Sequence, residues 1–370
     1  MNSAKWAPKF SVVVPFAGLV LLAFTWGRNL STIAALALVL LHVCLVLVSV
    51  GHAEAIAHRL GEPFGTLVLA LAVTVIEVSL IVTLMVTDGS KTETLARDTV
   101  FSAIMIVCNG VVGLSILARA RRDRVVQFSE QGANALLGTV MTVATLSLVL
   151  PTFTTSSPGG TFTAPQMAFS AVAAAVVYGV FIFVQTVSHR WMFLGPEALH
   201  DESVDEYAHV APASARYGRL DNLSVRLGLL VGGLVGVVGL AKTLAPKIEE
   251  AVEWAGAPQL FVGVIIALMI LLPESLAALR AARRGEMQTS LNLSLGSALA
   301  SIGLTIPSIA VASIWIDGSI VLGLDSKEVV LLALTALVSA LTFGSGHATV
   351  LQAAQHLAIF VAFIFLTLVP

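Results

Sequence analysis

The sequence predicts an all-α membrane protein of about eleven transmembrane helices, an N-terminal helix followed by two inverted five-helix repeats. Three observations predict it. Hydrophobic residues fill 57% of the 370 positions, and the mean hydropathy is +0.94. Charged residues fill 11%, against about 25% in a soluble globular chain, too few to coat a water-facing surface. The apolar residues fall in runs of bilayer length, about 20 residues, and none alternates with the two-residue period of an outer-membrane strand. Backbone groups in lipid must be satisfied within their own segment, so the runs are helices.

The same composition narrows the function. A net charge of -2 and a pI near 6.4 lack the basic face of a nucleic-acid binder. Lipid is an expected partner and nucleic acid is not; self-association into a homo-oligomer is compatible with the chain. Cys44 and Cys108 lie inside apolar runs and offer neither a disulfide framework nor a CxxC metal site. The first run has no clear small-residue cleavage site and reads as a retained span.

Taken in order, the runs are 10–26, 31–56, 64–87, 99–118, 133–151, 166–187, 225–245, 258–279, 289–315, 328–343 and 347–369. Only Gly344, Ser345 and Gly346 divide the last two. Residues 1–30 thus hold the N-terminal helix, 31–187 the first repeat, 188–224 a polar linker and 225–370 the second repeat. The linker carries Glu197, Asp201, Glu202, Asp205 and Glu206. A solvated acidic loop is the plainer reading of such a run; capture or regulation of a cation is the sharper one.

Orientation follows from the basic residues. Fourteen of the 20 lysines and arginines fall on the side of the N-terminus, among them the Arg119, Arg121, Arg122, Arg124 cluster and Arg280, Arg283, Arg284. The positive-inside rule then places the N-terminus in the cytoplasm, the C-terminus outside and the acidic linker inside, as in a bacterial inner membrane. The loop 88–98, after the third span, is mixed in charge, whereas 280–286, after the eighth, is basic. Equivalent loops on opposite faces are the mark of inverted-topology repeats, common in secondary transporters.

Two carboxylates stand where a charge is expensive. One near the bilayer centre costs at least ~2.5–3.5 kcal/mol and is by default a candidate functional group. Glu77 lies in TLVLALAVTVIEVSLIVTLMV with no charge between Glu62 and Asp88, and Glu274 in FVGVIIALMILLPESLAAL with none between Glu253 and Arg280. A proline stands near the start of each run, Pro63 and Pro258. A protonated structural glutamate would explain either alone; one in each repeat, in the third and eighth spans, is the correspondence an inverted repeat predicts.

The next helix in each half adds neutral oxygens. Span four, TVFSAIMIVCNGVVGLSIL, carries Ser102, Asn109, Gly110 and Gly113; span nine, LNLSLGSALASIGLTIPSIA, carries Ser297, Ser301, Thr305 and Pro307. Small residues let helices approach closely, and hydroxyl and amide oxygens beside carboxylates suit a hard cation. Glu54, His52 and His58 end span two, His42 lies within it, and His347 and His356 fall in the last span. Such histidines are more often hydrogen-bonded structure than ligands. Glu54, like Ser102 and Ser301, is a candidate for the proton path or for supporting the ligands.

With two glutamates in this setting, the chain resembles the calcium/cation antiporter superfamily, in its cation/proton exchanger branch, and is most similar to bacterial sodium/potassium and calcium proton antiporters. The stretch GHAEAIAHRLGEPFGTLVLALAVTVIEVSLIV is similar to the first α-repeat and ILLPESLAALRAARRGEMQTSLNLSLGSALASIGLTIPSIA to the second. The resemblance implies that Glu77 and Glu274 are the paired cation- and proton-binding glutamates, that Asn109 and Ser297 are further ligands, and that Thr74 belongs with them. The family's G-N-A-T-E reads Val73–Thr74–Val75–Ile76–Glu77 here, its G-N-A-A-E-H reads Ile270–Leu271–Leu272–Pro273–Glu274–Ser275, and its glutamines in the next helix fall at Thr99 and Ala300. Fewer amide ligands suit monovalent ions or a broad range of cations.

The resemblance implies a transporter and not an enzyme, with no cofactor, exchanging Ca2+, Na+ or K+ for H+ at a shared two-glutamate site. The physics agrees. Apolar surroundings favour the protonated form of a carboxylic acid, and a cation binds only the ionised form, so the two compete for the same oxygens. An intramembrane protease is one rival, but His52, Glu54 and His58 lack the H-E-x-x-H spacing of a zinc site and Gly344–Ser345–Gly346 is more simply an interhelical turn. A cation channel is the other.

Overall fold

The computed structural model describes residues 8–28, 30–60, 77–79, 81–82, 93–195, 223–256, 258, 260–315 and 319–369. Its helices are α1 (Pro8–Thr25), α2 (Thr32–Leu60), α3 (Leu95–Asp123), α4 (Glu130–Phe153), α5 (Ala164–Ser188), α6 (Leu223–Trp254), α7 (Leu260–Arg284), α8 (Met287–Ala312), α9 (Ser326–Phe343) and α10 (Val350–Leu368). Each coincides with one of the expected runs. Among the described residues eight are long and apolar enough to cross a bilayer, α7 makes a ninth if its two bent halves form one span, and Phe10–Thr25 is a shorter apolar helix. The expected third span, 64–87, lies outside the described residues except for 77–79 and 81–82, which are helical.

Capping chemistry sets the ends more finely than hydropathy does. Ser129 accepts from Gly132 N at the start of α4, and Thr163 with Gln166, Asp325 with Glu328 and Thr349 with Gln352 form reciprocal capping boxes on α5, α9 and α10. Thr349 starts α10 at Val350, so His347 lies before the last helix and not within it. There β2 (His347–Ala348) pairs antiparallel with β1 (Val126–Gln127).

The chain divides into two compact units, each drawing on both halves of the sequence: Met1–Leu84 with Asp205–Ala255, and Met85–Val204 with Gly256–Pro370. In the first unit α1, α2 and α6 pack on one another around Leu45, Val237, Leu240 and Leu244, all buried. Leu45 is the wedge. A Cβ at Gly18 on α1 or at Gly236 on α6 would come within 2.8 Å of Leu45 Cδ2, so the glycines let three helices close around one side chain, the small-residue packing that lipid favours. His52 Nε2–H donates to Ser11 O (3.0 Å), tying α2 to α1.

In the second unit α3 is central. Of its apolar window 89% is buried, against 28% for α10, as befits a helix inside a bundle. It touches α7, α8 and α10, while α8 packs on α4 and α5. Gly113 lets α10 approach: a Cβ there would lie 2.9 Å from Leu357 Cγ and 3.1 Å from His356 Cβ. Gly113→Val is therefore expected to destabilise the unit by about 1–3 kcal/mol, read as a lower melting temperature in detergent. An unchanged melting temperature would show that α10 can yield.

Contacts between loops sort this unit into two ends. At one end Ser129 N donates to Gln288 Oε1 (2.7 Å), Ser129 Oγ to Met192 O (2.6 Å) and Asn292 Nδ2 to Phe193 O (2.7 Å). The Arg119 guanidinium lies there too, beside Gly285 in the α7–α8 turn. At the other end Val321 N donates to Glu93 O (3.0 Å), Gly323 N to Gly160 O (2.8 Å) and Thr152 Oγ1 to Leu324 O (2.7 Å). Successive loops thus alternate between the ends, as an antiparallel bundle requires.

Candidate functional site

The sequence candidates distribute over both units. In the first, Glu77 is helical and buried, with 2% of its surface exposed. That burial is what makes a carboxylate informative, because an acid held away from water must be protonated, paired or ligating. Glu54 lies on α2. Thr74 and the acidic residues 197–206 lie outside the described residues.

In the second unit the local chemistry of α7 is the most telling. Its two segments, Phe261–Met269 and Glu274–Arg284, meet at 60°. Pro273 accounts for the bend, because it has no N–H to donate to the Met269 carbonyl one turn earlier. Glu274 is therefore the first residue after the break, half-buried, with its Oε2 shielded from solvent. A bent span brings a carboxylate and a main-chain carbonyl freed from its helix to the same level, the arrangement by which discontinuous helices make ion sites.

Asn109 sits on a second irregularity. Residues Ile106–Val111 form a π turn inside α3, all of them buried. Single π turns within α-helices gather at functional positions. This one is where α3 touches α7, α8, α9 and α10. Asn109 Nδ2 donates to Thr335 Oγ1 on α9 at 2.9 Å, while its Oδ1 is buried and accepts no hydrogen bond. Ser102, two turns earlier on α3, is also fully buried, and its Oγ has no hydrogen-bond partner. On α8, Ser297 is half-buried and Ser301 buried. The helices bearing Ser102, Asn109, Glu274, Ser297 and Ser301 thus pack on one another within one unit.

Sequence reasoning missed Thr335 and Ser339 on α9, which join Thr99 and Thr305 here. Thr99 Oγ1, Thr305 Oγ1 and Ser339 Oγ are buried without hydrogen-bond partners, and Thr335 holds Asn109. Thr99 stands where the resembled family has a glutamine, so a hydroxyl oxygen replaces an amide there. The set is rich in neutral oxygens and sparing in charge, which suits weakly held hard cations. Among the described residues no three His, Cys, Asp or Glu cluster to hold a metal.

Two of the histidines and the serine turn make local contacts near the start of α10. His356 Nε2 lies 3.2 Å from Thr342 Oγ1, and its ring stacks on Phe343; His347 is exposed, with Nδ1 bonded to Ser345 O. Ser345 Oγ donates its proton to the main-chain oxygen of His347 (2.7 Å), with that of Thr342 as the longer alternative (3.1 Å), and Gly346 adopts φ +67°, a left-handed turn. The hydroxyl is thus committed to closing the α9–α10 turn.

The sequence profile of the sodium/calcium exchanger protein family matches residues 30–187 and 225–369. The protein y4hA of Sinorhizobium fredii is 42% identical over 98% of this chain and 97% of its own. The sodium-potassium/proton antiporter ChaA of Escherichia coli is 34% identical over 96% of this chain and 94% of its own. The crystal structure of the H+/Ca2+ exchanger CAX superposes with a TM-score of 0.68 at 18% identity, covering 98% of this chain and 89% of that one.

Proposed function

Because the chain belongs to the sodium/calcium exchanger family, we propose that it is a secondary antiporter exporting Na+, K+ or Ca2+ in exchange for protons. The carrying observation is Glu274, a carboxylate that directly follows the break of a bent helix, after an apolar first segment. The name of the Escherichia coli relative, a sodium-potassium/proton antiporter, supports the monovalent cations; the neutral oxygens around Asn109 accommodate either class.

Glu77 and Glu274 act in the same exchange cycle, one from each repeat. With no cation bound, the carboxyls retain protons; a cation binds the ionised oxygens and displaces them, so occupancy is exclusive. Alternating exposure to the two faces then couples the fluxes. Asn109, Ser297 and Thr74 supply neutral oxygens, and Ser102, Ser301 and Glu54 support the ligands or the proton path. A channel would conduct without this exclusivity. A protease would need a nucleophile or metal site, and the Ser345 hydroxyl is occupied by the turn it closes.

The test is dissipation of a preformed pH gradient on adding Na+, K+ or Ca2+ to everted vesicles. Cation-dependent proton release with no ionic current at zero gradient supports the antiporter; a current without proton coupling defeats it. The N-terminus is cytoplasmic and the C-terminus external in a bacterial inner membrane, as the basic residues direct. A C-terminal fusion should accordingly be active only for a periplasmic reporter, and activity of a cytoplasmic one would reverse the assignment.

A further inference from the structure

The hydrogen bonds around Asn109 decide which way its amide faces. Thr335 Oγ1 has one proton, and it goes to Leu331 O, one turn back on α9, at 2.8 Å. Thr335 can then only accept from Asn109, so the amide nitrogen faces the hydroxyl, at 2.9 Å, and the carbonyl oxygen faces away. The competing acceptor, Met105 Sδ, is a weak one at 3.8 Å from Asn109 Nδ2 and 3.6 Å from Thr335 Oγ1. Asn109 and Thr335 are both fully buried. The outcome is a buried Oδ1 that accepts no hydrogen bond from the protein, and a buried polar group of that kind calls for a partner such as a water or an ion.

We propose that Thr335 is a positioning residue for ion exchange: it holds the Asn109 amide in the flip that offers Oδ1 to the transported cation. Its orientation is inherited from the backbone of α9 through Leu331 O, so the ligand is pre-aimed before the ion arrives. This rests on the reading of Asn109 as a cation-binding residue. The π turn contributes by placing Asn109 where α3 meets α9.

The experiment is cation-dependent proton exchange by the full-length protein in proteoliposomes, with KM and maximal rate measured separately for Na+, K+ and Ca2+. Thr335→Val keeps the shape and removes the acceptor. It should raise KM about 10–100-fold, as loss of a residue that orients a metal ligand does, with little change in maximal rate. Thr335→Ser should restore the wild-type KM. If the valine variant fails to insert, Thr335→Ala gives the same readout without a crowded methyl. The double variant Asn109→Ala with Thr335→Val should have the KM of Asn109→Ala alone, because Thr335 acts only through Asn109. A raised KM for Asn109→Ala with an unchanged KM for Thr335→Val would overturn the proposal and leave the ligand reading intact. An unchanged KM for Asn109→Ala would overturn both. A loss of maximal rate and thermal stability at constant KM, not rescued by serine, would show Thr335 to be packing alone.

Discussion

Everted vesicles carrying Glu274→Gln or Glu77→Gln are expected to lose cation-driven proton release down to the background of empty vesicles, although both proteins still insert. Glutamine keeps the shape and one carbonyl oxygen, but it can neither exchange a proton nor present a negative charge. An antiporter that alternates between a protonated and a cation-bound carboxylate has no cycle without that group. Insertion should survive, because removing an ionisable group from an apolar helix also removes its desolvation cost, at least ~2.5–3.5 kcal/mol for the charged form. Aspartate at either position should retain part of the exchange with altered cation affinity, since the charge persists one methylene back. Wild-type rates from either glutamine variant would remove that residue from the mechanism. For Glu274 a further control exists in the bend. Pro273→Ala restores the N–H that α7 lacks, and it should impair exchange while the carboxylate remains.

The helices were legible because lipid leaves the backbone no alternative, and the runs found by hydropathy coincide with α1 to α10. Their ends were not, because caps such as Thr349 act through single hydrogen bonds that hydropathy averages away. Glu274 and Asn109 were legible for the same reason as each other: a carboxylate or an amide in an apolar run is expensive and stands out. The bend was half-legible. The sequence marks Pro258 at the start of the run as readily as Pro273, whereas the helix breaks between Met269 and Glu274, beside the carboxylate. Thr335 was invisible, because a hydroxyl in LALTALVSAL commonly bonds only its own helix, and here it does that and also accepts from Asn109 across 226 residues. Nor does sequence show that Arg97, counted as a loop charge, is buried against α9.

That burial supports the second large effect. Arg97 and Asp98 open α3 with side chains only 8% and 5% exposed, joined Nε to Oδ1 at 2.8 Å. Arg97 Nη1 also donates to Gly323 O (3.0 Å) and lies 3.7 Å from Asp325 Oδ1, while Thr94 Oγ1 donates to Asp98 Oδ2 (2.8 Å). Glu328, 2% exposed at the first turn of α9, is within the field of the same guanidinium. One cation thus serves three carboxylates and joins the start of α3 to the start of α9. Removing one partner of a buried pair leaves an uncompensated charge and costs about 3–5 kcal/mol. Arg97→Met should therefore lower the melting temperature in detergent steeply, and Asp98→Asn added to it should recover part of the loss. The pair Arg284–Glu286 is the contrast: its side chains are 62% and 47% exposed, and pairs of that kind contribute about 0–1 kcal/mol. Arg284→Met should hardly move the transition. A loss from Arg97→Met as small as that from Arg284→Met would show that the cluster relaxes into solvent and does not fasten the two helices.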